Sequence, residues 1–132
     1  MADRRAARRL RVRFDEHAFA LDVGRYGHRT PAREAAERAR EIYASEGVDR
    51  AQLEPCAAEG RDGTQLAGRV KVYLPPDATE PPFRMLFSPV IVEARLELAY
   101  LAFGVGHQPK GSRAPTVYEI AHRRIHGEWP GT

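Results

Sequence analysis

The 132-residue sequence has very little cysteine and no long hydrophobic run. Its single cysteine, Cys56, cannot form a disulfide within the chain and offers no thiolate cluster for a metal ion. No stretch approaches the roughly 18 apolar residues that a membrane span requires, and the basic start is not followed by the apolar segment of a signal peptide. We therefore expect a cytoplasmic protein without membrane contact, long enough to bury a core without disulfides.

The motifs of nucleotide-binding enzymes and of serine or cysteine hydrolases are also missing. The chain has no glycine-rich phosphate-binding loop, no nucleophile elbow and no nucleophile signature around Cys56. His122 and His126 have the i,i+4 spacing that suits a metal, but no third ligand follows a known pattern. The sequence therefore predicts neither a metal nor another cofactor.

Arginine is abundant, especially at the start of the chain. The net charge of +3 and the pI of about 9.3 permit nucleic-acid binding without requiring it. Near the start the arginines are Arg4, Arg5, Arg8, Arg9, Arg11 and Arg13. Residues 1–9 could form a basic arm that contacts phosphates, and the alternative is a frayed, solvated terminus.

Three runs rich in β-branched and aromatic residues predict an antiparallel meander over residues 69–74, 83–90 and 96–103. Strand alternation sorts the side chains of the first two runs onto two faces. The face expected to meet the core carries Val70, Val72, Phe83, Met85 and Phe87. The opposite face carries Arg69, Lys71 and Arg84, which could hold an anion. The alternative is a solvated face of a half-buried sheet.

A further strand and three helices are predicted around the meander. Residues 9–14 alternate apolar and basic side chains, which predicts a first strand able to pair with the meander. The N-cap candidates are Asp15, Thr30 and Thr116, and the helix-stop candidates are Gly24, Gly47 and Gly127. The polar segment 49–68 lacks periodicity and predicts a connection with a short helical turn near residues 50–53.

This order of elements resembles the RelE/ParE superfamily of bacterial toxins, which belong to type II toxin–antitoxin systems. The resemblance is carried by residues 12–19, 69–72, 83–87, 104–107 and 117–124. It implies an α+β fold similar to microbial ribonucleases in one domain covering residues 1–132. That fold has an antiparallel sheet, two N-terminal helices and a short C-terminal helix.

For the RelE branch, the resemblance implies a ribosome-dependent mRNA endonuclease that works without metal and is blocked by a cognate antitoxin. The functional residues of that branch fall on Lys71, Arg84 and Tyr118, with Arg69 in place of a second lysine. The arginine that follows the third meander strand in the family has no counterpart here.

In its place the chain has His107 at the start of a longer basic loop. Lys110 and Arg113 in this loop are candidate replacements for the missing arginine, so together with Arg69 they are candidate substrate-binding residues. The alternative is that His107, Lys110 and Arg113 are simply exposed to solvent in the loop.

Cleavage of RNA without metal needs a base for the 2′-hydroxyl, cations for the phosphorane-like transition state and an acid for the leaving 5′-oxygen. Lys71 could be the base if Arg69 and Arg84 lower its pKa, and we expect their proximity to do so. Arg84 suits the phosphate, because its guanidinium is planar and permanently charged. His107 could be an acid or a base, and Tyr118 could stack on a nucleobase or donate a proton.

Two other functions are compatible with the same sequence. The ParE branch keeps the fold but lacks the catalytic set and inhibits DNA gyrase, so the chain could be a non-catalytic inhibitor of gyrase or of another partner. It could also be a nontoxic basic interaction protein, because a fold does not determine a function.

Overall fold

The computed structural model describes residues 8–60 and 62–127, and over these residues the chain forms three α-helices and two β-sheets. The helices are α1 (Glu16–Val23), α2 (Pro31–Glu46) and α3 (Val117–Ile125). The strands are β1 (Arg9–Leu10), β2 (Val12–Arg13), β3 (Val48–Asp49), β4 (Glu54–Pro55), β5 (Val70–Leu74), β6 (Phe83–Val92) and β7 (Arg95–Val105). The predicted α+β class is confirmed. Most of the predicted basic arm, residues 1–7, lies outside the described residues.

Each helix begins at the predicted cap. The side chains of Asp15, Thr30 and Thr116 accept hydrogen bonds from backbone N–H groups in the first turns of α1, α2 and α3. These bonds satisfy donors that would otherwise have no partner inside the helix. None of the helices formed by the described residues has the length and hydrophobicity of a membrane-spanning helix.

The main sheet has five strands in the order β2-β7-β6-β5-β4. Strands β5 to β7 form the predicted antiparallel meander and β4 is antiparallel to β5, but β2 runs parallel to β7, so the sheet is mixed rather than wholly antiparallel. The predicted first strand, residues 9–14, is two strands with different partners. Strand β1 pairs with β3, whereas β2 joins the meander, and the carbonyl of Arg11 between them accepts a hydrogen bond from Leu98 N at 2.8 Å.

Both faces of the sheet are covered. The face that carries Val72 and Met85, a cross-strand pair, packs into the larger core with residues of α1 and α2. The opposite face contributes Leu86 to a smaller cluster with α3 and with the segment that connects β4 to β5. The members of this cluster are Cys56, Leu66, Leu86, Leu101, Ala102, Val117, Ile120 and Ala121. The predicted sorting of side chains onto two faces is confirmed, but the second face is partly covered by α3 and by the segment between β4 and β5.

A β-bulge in β7 places neighbouring residues in different clusters. Leu86 pairs with Ala102 and Phe87 pairs with Tyr100, so Leu101 has no cross-strand partner. Tyr100 therefore packs in the larger core, while Leu101 and Ala102 both pack towards α3. A bulge of this kind inserts one residue and changes the direction of the side chains on either side.

A buried ion pair connects α1 to α3 across the outer edge of β7. The Arg124 guanidinium donates to both carboxylate oxygens of Asp22, at 2.9 Å and 2.8 Å, and to the carbonyl of Leu101 at 2.6 Å. Asp22 also accepts hydrogen bonds from the Tyr100 hydroxyl at 2.6 Å and from Phe103 N at 3.2 Å. Strand β2 pairs only with Leu98 and Ala99 of β7. Asp22 and Arg124 provide hydrogen-bond partners for Phe103 and Leu101, on the part of the β7 edge that β2 does not reach.

We expect Arg124→Met to lower the free energy of unfolding by about 3–5 kcal/mol, because it leaves the Asp22 carboxylate buried without its cation. Adding Asp22→Asn should cost much less than the sum of the two single changes, since the amide carries no charge. Urea denaturation of the single and double variants measures this coupling. Arg38→Met, at an exposed position of α2, controls for the loss of one positive charge, and equal effects at the two arginines would contradict the prediction.

A second prediction concerns the tight turn between β6 and β7. Glu93 and Ala94 have φ angles of 50° and 64°, values that a two-residue hairpin turn requires and that glycine or asparagine adopts most easily. Ala94→Gly should therefore stabilise the protein by about 0.5 kcal/mol, after subtraction of the greater freedom of glycine in the unfolded chain. Ala78→Gly, in the loop between β5 and β6 at a position without positive φ, should not stabilise it. A destabilised Ala94→Gly protein in thermal unfolding would contradict the prediction.

Candidate active site

Lys71 and Tyr118, two of the predicted catalytic residues, are in direct contact. Lys71 is the second residue of β5, and its ammonium nitrogen Nζ donates a hydrogen bond to the Tyr118 hydroxyl at 3.0 Å. Tyr118 is placed by the first turn of α3, where Thr116 and Glu119 form a reciprocal capping box. The ammonium also lies 4.9 Å from the ring centroid of Tyr118 and 5.4 Å from that of Tyr73, within cation–π distance.

Arg84 lies on the same face, opposite Tyr73 in the β5–β6 ladder. Its guanidinium carbon is 4.4 Å from the centroid of the Tyr73 ring, so one aromatic ring contacts both Lys71 and Arg84. The Nη1 atom of Arg84 donates to the carbonyls of Pro81 and Phe83, at 2.5 Å and 3.2 Å. Among the described residues, its buried Nε atom has no hydrogen-bond partner.

Gly106 allows the Arg84 guanidinium to lie against the backbone. A β-carbon at this position would be 2.8 Å from Cζ of Arg84 and 2.9 Å from its Nε, so any other residue here would require the guanidinium to move. Gly106 N also donates to the carbonyl of Pro82 at 3.1 Å, which fixes the start of the loop beside the arginine. The guanidinium is therefore held between an aromatic ring and a glycine.

His107 connects two open cavities on this surface. One cavity, of about 550 Å³, is bordered by Arg84, Tyr73 and His107. The other, of about 440 Å³, is bordered by Lys71, Tyr118 and His107. The structure thus brings the four predicted catalytic residues to one continuous surface, with His107 exposed at its centre.

The predicted substrate-binding residues are placed differently. Arg69 donates to the hydroxyl of Ser88 at 3.2 Å and to the carbonyl of Ala67 at 3.1 Å. Its side chain therefore connects β6 to the turn that precedes β5. Lys110 and Arg113 are exposed in the loop and border neither cavity. Within residues 8–60 and 62–127 they make no hydrogen bond or ion pair. Neither Lys110 nor Arg113, the candidate replacements for the missing arginine, thus borders the cavity that contains Arg84.

The expected decrease in the pKa of Lys71 is wrong. Burial, the largest single influence, does lower this pKa, because a buried ammonium loses hydration. The hydrogen bond with Tyr118 raises it, as do the acidic groups of Tyr118, Tyr73 and Cys56, and the net result is a pKa above the ordinary value of 10.5. Lys71 is therefore a cation at neutral pH and cannot be the base.

The two arginines fail to lower the pKa of Lys71 because they face other groups. Arg84 is turned towards Tyr73 and two backbone carbonyls, and Arg69 is turned towards Ser88. Proximity along the sheet is not sufficient for strong repulsion between cations when each one is directed at its own acceptor or ring.

Cys56 lies beneath this surface as a thiol. Burial raises its pKa to about 11, although Lys71 and Arg69 act in the opposite direction. A thiol with such a pKa is a poor nucleophile at neutral pH. The structure gives Cys56 a role in packing, with 6% of its surface exposed.

No three His, Cys, Asp or Glu side chains converge as metal ligands within the described parts of the chain. The rings of His122 and His126 stack with centroids 4.3 Å apart. Nδ1 of His122 accepts from Gln65 N at 2.9 Å, and Nδ1 of His126 lies 2.7 Å from the carbonyl of His122. The i,i+4 histidines therefore contribute to helix and loop structure.

Several residues of this surface carry no role predicted from the sequence. The contact of Tyr73 with both cations was not expected, because it depends on the register between β5 and β6. Asp62, Thr64 and Gln108 border the cavity beside Lys71. They come from a segment without periodicity and from a long loop, so the sequence held no signal for their placement.

No family model, curated protein or solved structure matches the chain. Membership of the RelE/ParE superfamily thus stays a prediction that rests on the order of elements and on the site residues. The functional argument depends on the geometry of the surface itself.

The hydrogen bond between Lys71 and Tyr118 leads to a prediction about protonation. Tyr118→Phe removes the hydrogen bond and the phenol but leaves the burial of the ammonium, so the pKa of Lys71 should fall. The chain has two lysines, Lys71 and Lys110, so ¹³C-lysine NMR titration resolves both. The exposed Lys110 serves as the internal reference. An unchanged pKa of Lys71 in the folded variant would contradict the prediction.

Proposed function

We propose that the protein is the toxin of a type II toxin–antitoxin pair and cleaves mRNA on the ribosome without a metal ion. The observation that carries this proposal is the contact of Lys71 with Tyr118 on a surface shared with Arg84 and His107. Such a surface combines cations for a phosphate, rings for nucleobases and a group able to transfer protons.

The cations would bind and stabilise the reacting phosphate. Lys71 uses one of its three donors on Tyr118, and Nη2 of Arg84 makes no hydrogen bond within the described residues, so donors remain for phosphate oxygens. Negative charge increases on these oxygens as the nucleophile attacks, and oriented donors stabilise that charge without reorganisation. In this proposal the raised pKa of Lys71 favours its role, because the group must stay protonated.

Proton transfer falls to His107 and Tyr118. The His107 imidazole would take the proton of the 2′-hydroxyl, and the 2′-oxygen would then attack phosphorus. The bond from phosphorus to the 5′-oxygen breaks, and this oxygen takes a proton from the Tyr118 hydroxyl. The products are a 2′,3′-cyclic phosphate and a 5′-hydroxyl. Imidazole is the side chain best suited to proton transfer near neutral pH.

A groove on the other side of the molecule supports the antitoxin as a partner. It lies between α2 and the end of β5, and its apolar lining includes Ala35, Ala39 and Leu74. Ile42, with 38% of its surface exposed, also faces it, and Arg38 lies at its border. The charged side chains at the groove are of both signs, Arg9, Arg38, Glu46 and Asp77, so an antitoxin segment with apolar side chains would complement its apolar lining.

One observation favours the second candidate, a non-catalytic inhibitor of DNA gyrase similar to the ParE branch. The position after β7 has no arginine directed at the phosphate site, and Lys110 and Arg113 point to solvent in the loop. A surface of exposed cations could block a partner without cleaving RNA.

Primer extension on mRNA from a translating extract distinguishes the two candidates. The wild-type protein should produce discrete cuts that require ribosomes. Lys71→Ala/Arg84→Ala should reduce cleavage by at least about a hundredfold, since each lost transition-state donor costs roughly 2.7–4 kcal/mol. Arg50→Ala/Arg95→Ala removes the same charge from exposed positions elsewhere and should cleave normally.

Thermal unfolding shows whether each variant is folded. Intact mRNA with folded wild-type protein would reject the endonuclease proposal. Growth arrest that survives the Lys71→Ala/Arg84→Ala change, together with inhibited gyrase, would favour the second candidate. Normal growth after induced expression would favour the nontoxic interaction protein.

A further inference from the structure

The cavity beside Lys71 has a second wall that the proposed cleavage chemistry does not use. This wall comes from the segment between β4 and β5 and from the loop after β7, and it includes Asp62, Thr64 and Gln108. Leu66, with 1% of its surface exposed, forms part of the lining. The volume of about 440 Å³ is within the roughly 300–1,000 Å³ range of small-molecule sites.

The Asp62 side of this wall is held in a defined shape. Gly60 N donates to the carbonyl of Thr64 at 2.8 Å, and Gly63 N donates to the carbonyl of Gly60 at 3.1 Å. Oδ1 of Asp62 accepts from the backbone nitrogen of Thr64 at 3.2 Å and from its hydroxyl at 2.7 Å. The bond from Gln65 N to His122 fastens the segment to α3, which also carries Tyr118. The wall is therefore positioned before any ligand binds.

Two acceptors and one donor remain on this wall. Both hydrogen bonds that Asp62 accepts within the described residues go to Oδ1, so its Oδ2 atom has no partner there. The side-chain nitrogen of Gln108 donates one of its two N–H groups to the carbonyl of Pro115 at 3.1 Å, which leaves the other N–H and the amide oxygen. The Thr64 hydroxyl uses its proton on Asp62. A ligand that matches this wall presents two donors, with an acceptor beside them for the remaining N–H of Gln108.

The opposite border of the cavity is aromatic and cationic. Tyr118 and His107 provide rings on which a nucleobase can stack, and each such contact contributes about 1–3 kcal/mol. The Lys71 ammonium lies at the same border, where the proposed function places the phosphate. A planar base would thus have rings beside it, a cation at its phosphate and acceptors at its edge.

We propose that this cavity reads a guanine base of the RNA strand next to the phosphate at Lys71. Guanine presents two adjacent donors, N1–H and N2–H₂, on its Watson–Crick edge. Adenine and cytosine each present one amino group there, and uracil presents one imino group. The acceptors of Asp62 and Gln108 therefore suit guanine best. This inference rests on the proposed RNA-cleaving function only for the position of the phosphate.

The test measures binding of fluorescent 2′-O-methyl trinucleotides by anisotropy with the isolated full-length protein. The methyl group removes the nucleophile, so binding is measured without cleavage. We expect UGU to bind about tenfold more tightly than UAU, UCU or UUU, the size of discrimination that good base contacts supply. Asp62→Asn should remove this preference without weakening UUU, because it replaces an acceptor by a donor and can keep the bonds from Thr64.

Two variants complete the design. Asp77→Asn makes the same chemical change at an exposed carboxylate beside the groove of α2, and it should keep the preference for UGU. Gln108→Ala should reduce the preference in the same direction as Asp62→Asn, which covers the case in which Asp62→Asn does not fold.

Equal binding of the four trinucleotides, or no binding by folded protein, would overturn the guanine site even if the protein cleaves mRNA. A preference for UGU that disappears in Asp62→Asn supports the site even if the translating extract shows no cuts, and in that case only the cleavage proposal fails. Where cleavage occurs, cuts beside guanine in the wild type and dispersed cuts in Asp62→Asn support both the guanine site and the cleavage proposal.

Discussion

The buried pair of Asp22 and Arg124 is the interaction on which the arrangement of the chain depends. It connects α1 on one face of the sheet to α3 on the other, and it supplies partners to Leu101 and Phe103 where β7 has no neighbouring strand. Removing two charges from water is expensive, so the attraction within the pair is largely offset by lost hydration. Because α3 also carries Tyr118, the same contact fixes the helix that supplies the site with its tyrosine.

In the candidate site, aromatic rings contact two cations that form no ion pair within the described residues. Tyr73 contacts both Lys71 and Arg84, and Tyr118 accepts a hydrogen bond from Lys71. These contacts partly replace lost hydration, and they favour the charged form of the lysine. Neither Lys71 nor Arg84 forms an ion pair within the described residues, although Glu80 and Asp62 border the same two cavities.

Local signals in the sequence predicted much of this structure, but they did not predict its long-range contacts. Caps and alternation placed the three helices and the faces of β5 and β6, because these features depend on residues a few positions apart. The division of the first strand, the bulge at Leu101 and the wall around Asp62 depend on pairing with distant segments. The pKa of Lys71 was predicted in the wrong direction for the same reason, since its main partner, Tyr118, lies 47 residues away.

The contact of Gly106 with Arg84 separates the Arg84 guanidinium from the loop that follows β7. Gly106 is bound to Pro82, and Gln108 closes the loop on Pro115, so the residues between 108 and 115 can change without moving the guanidinium. Lys110 and Arg113 lie in that interval. The length and charge of this loop can therefore change while the position of Arg84 stays the same. The glycine makes the loop an independent module of the fold.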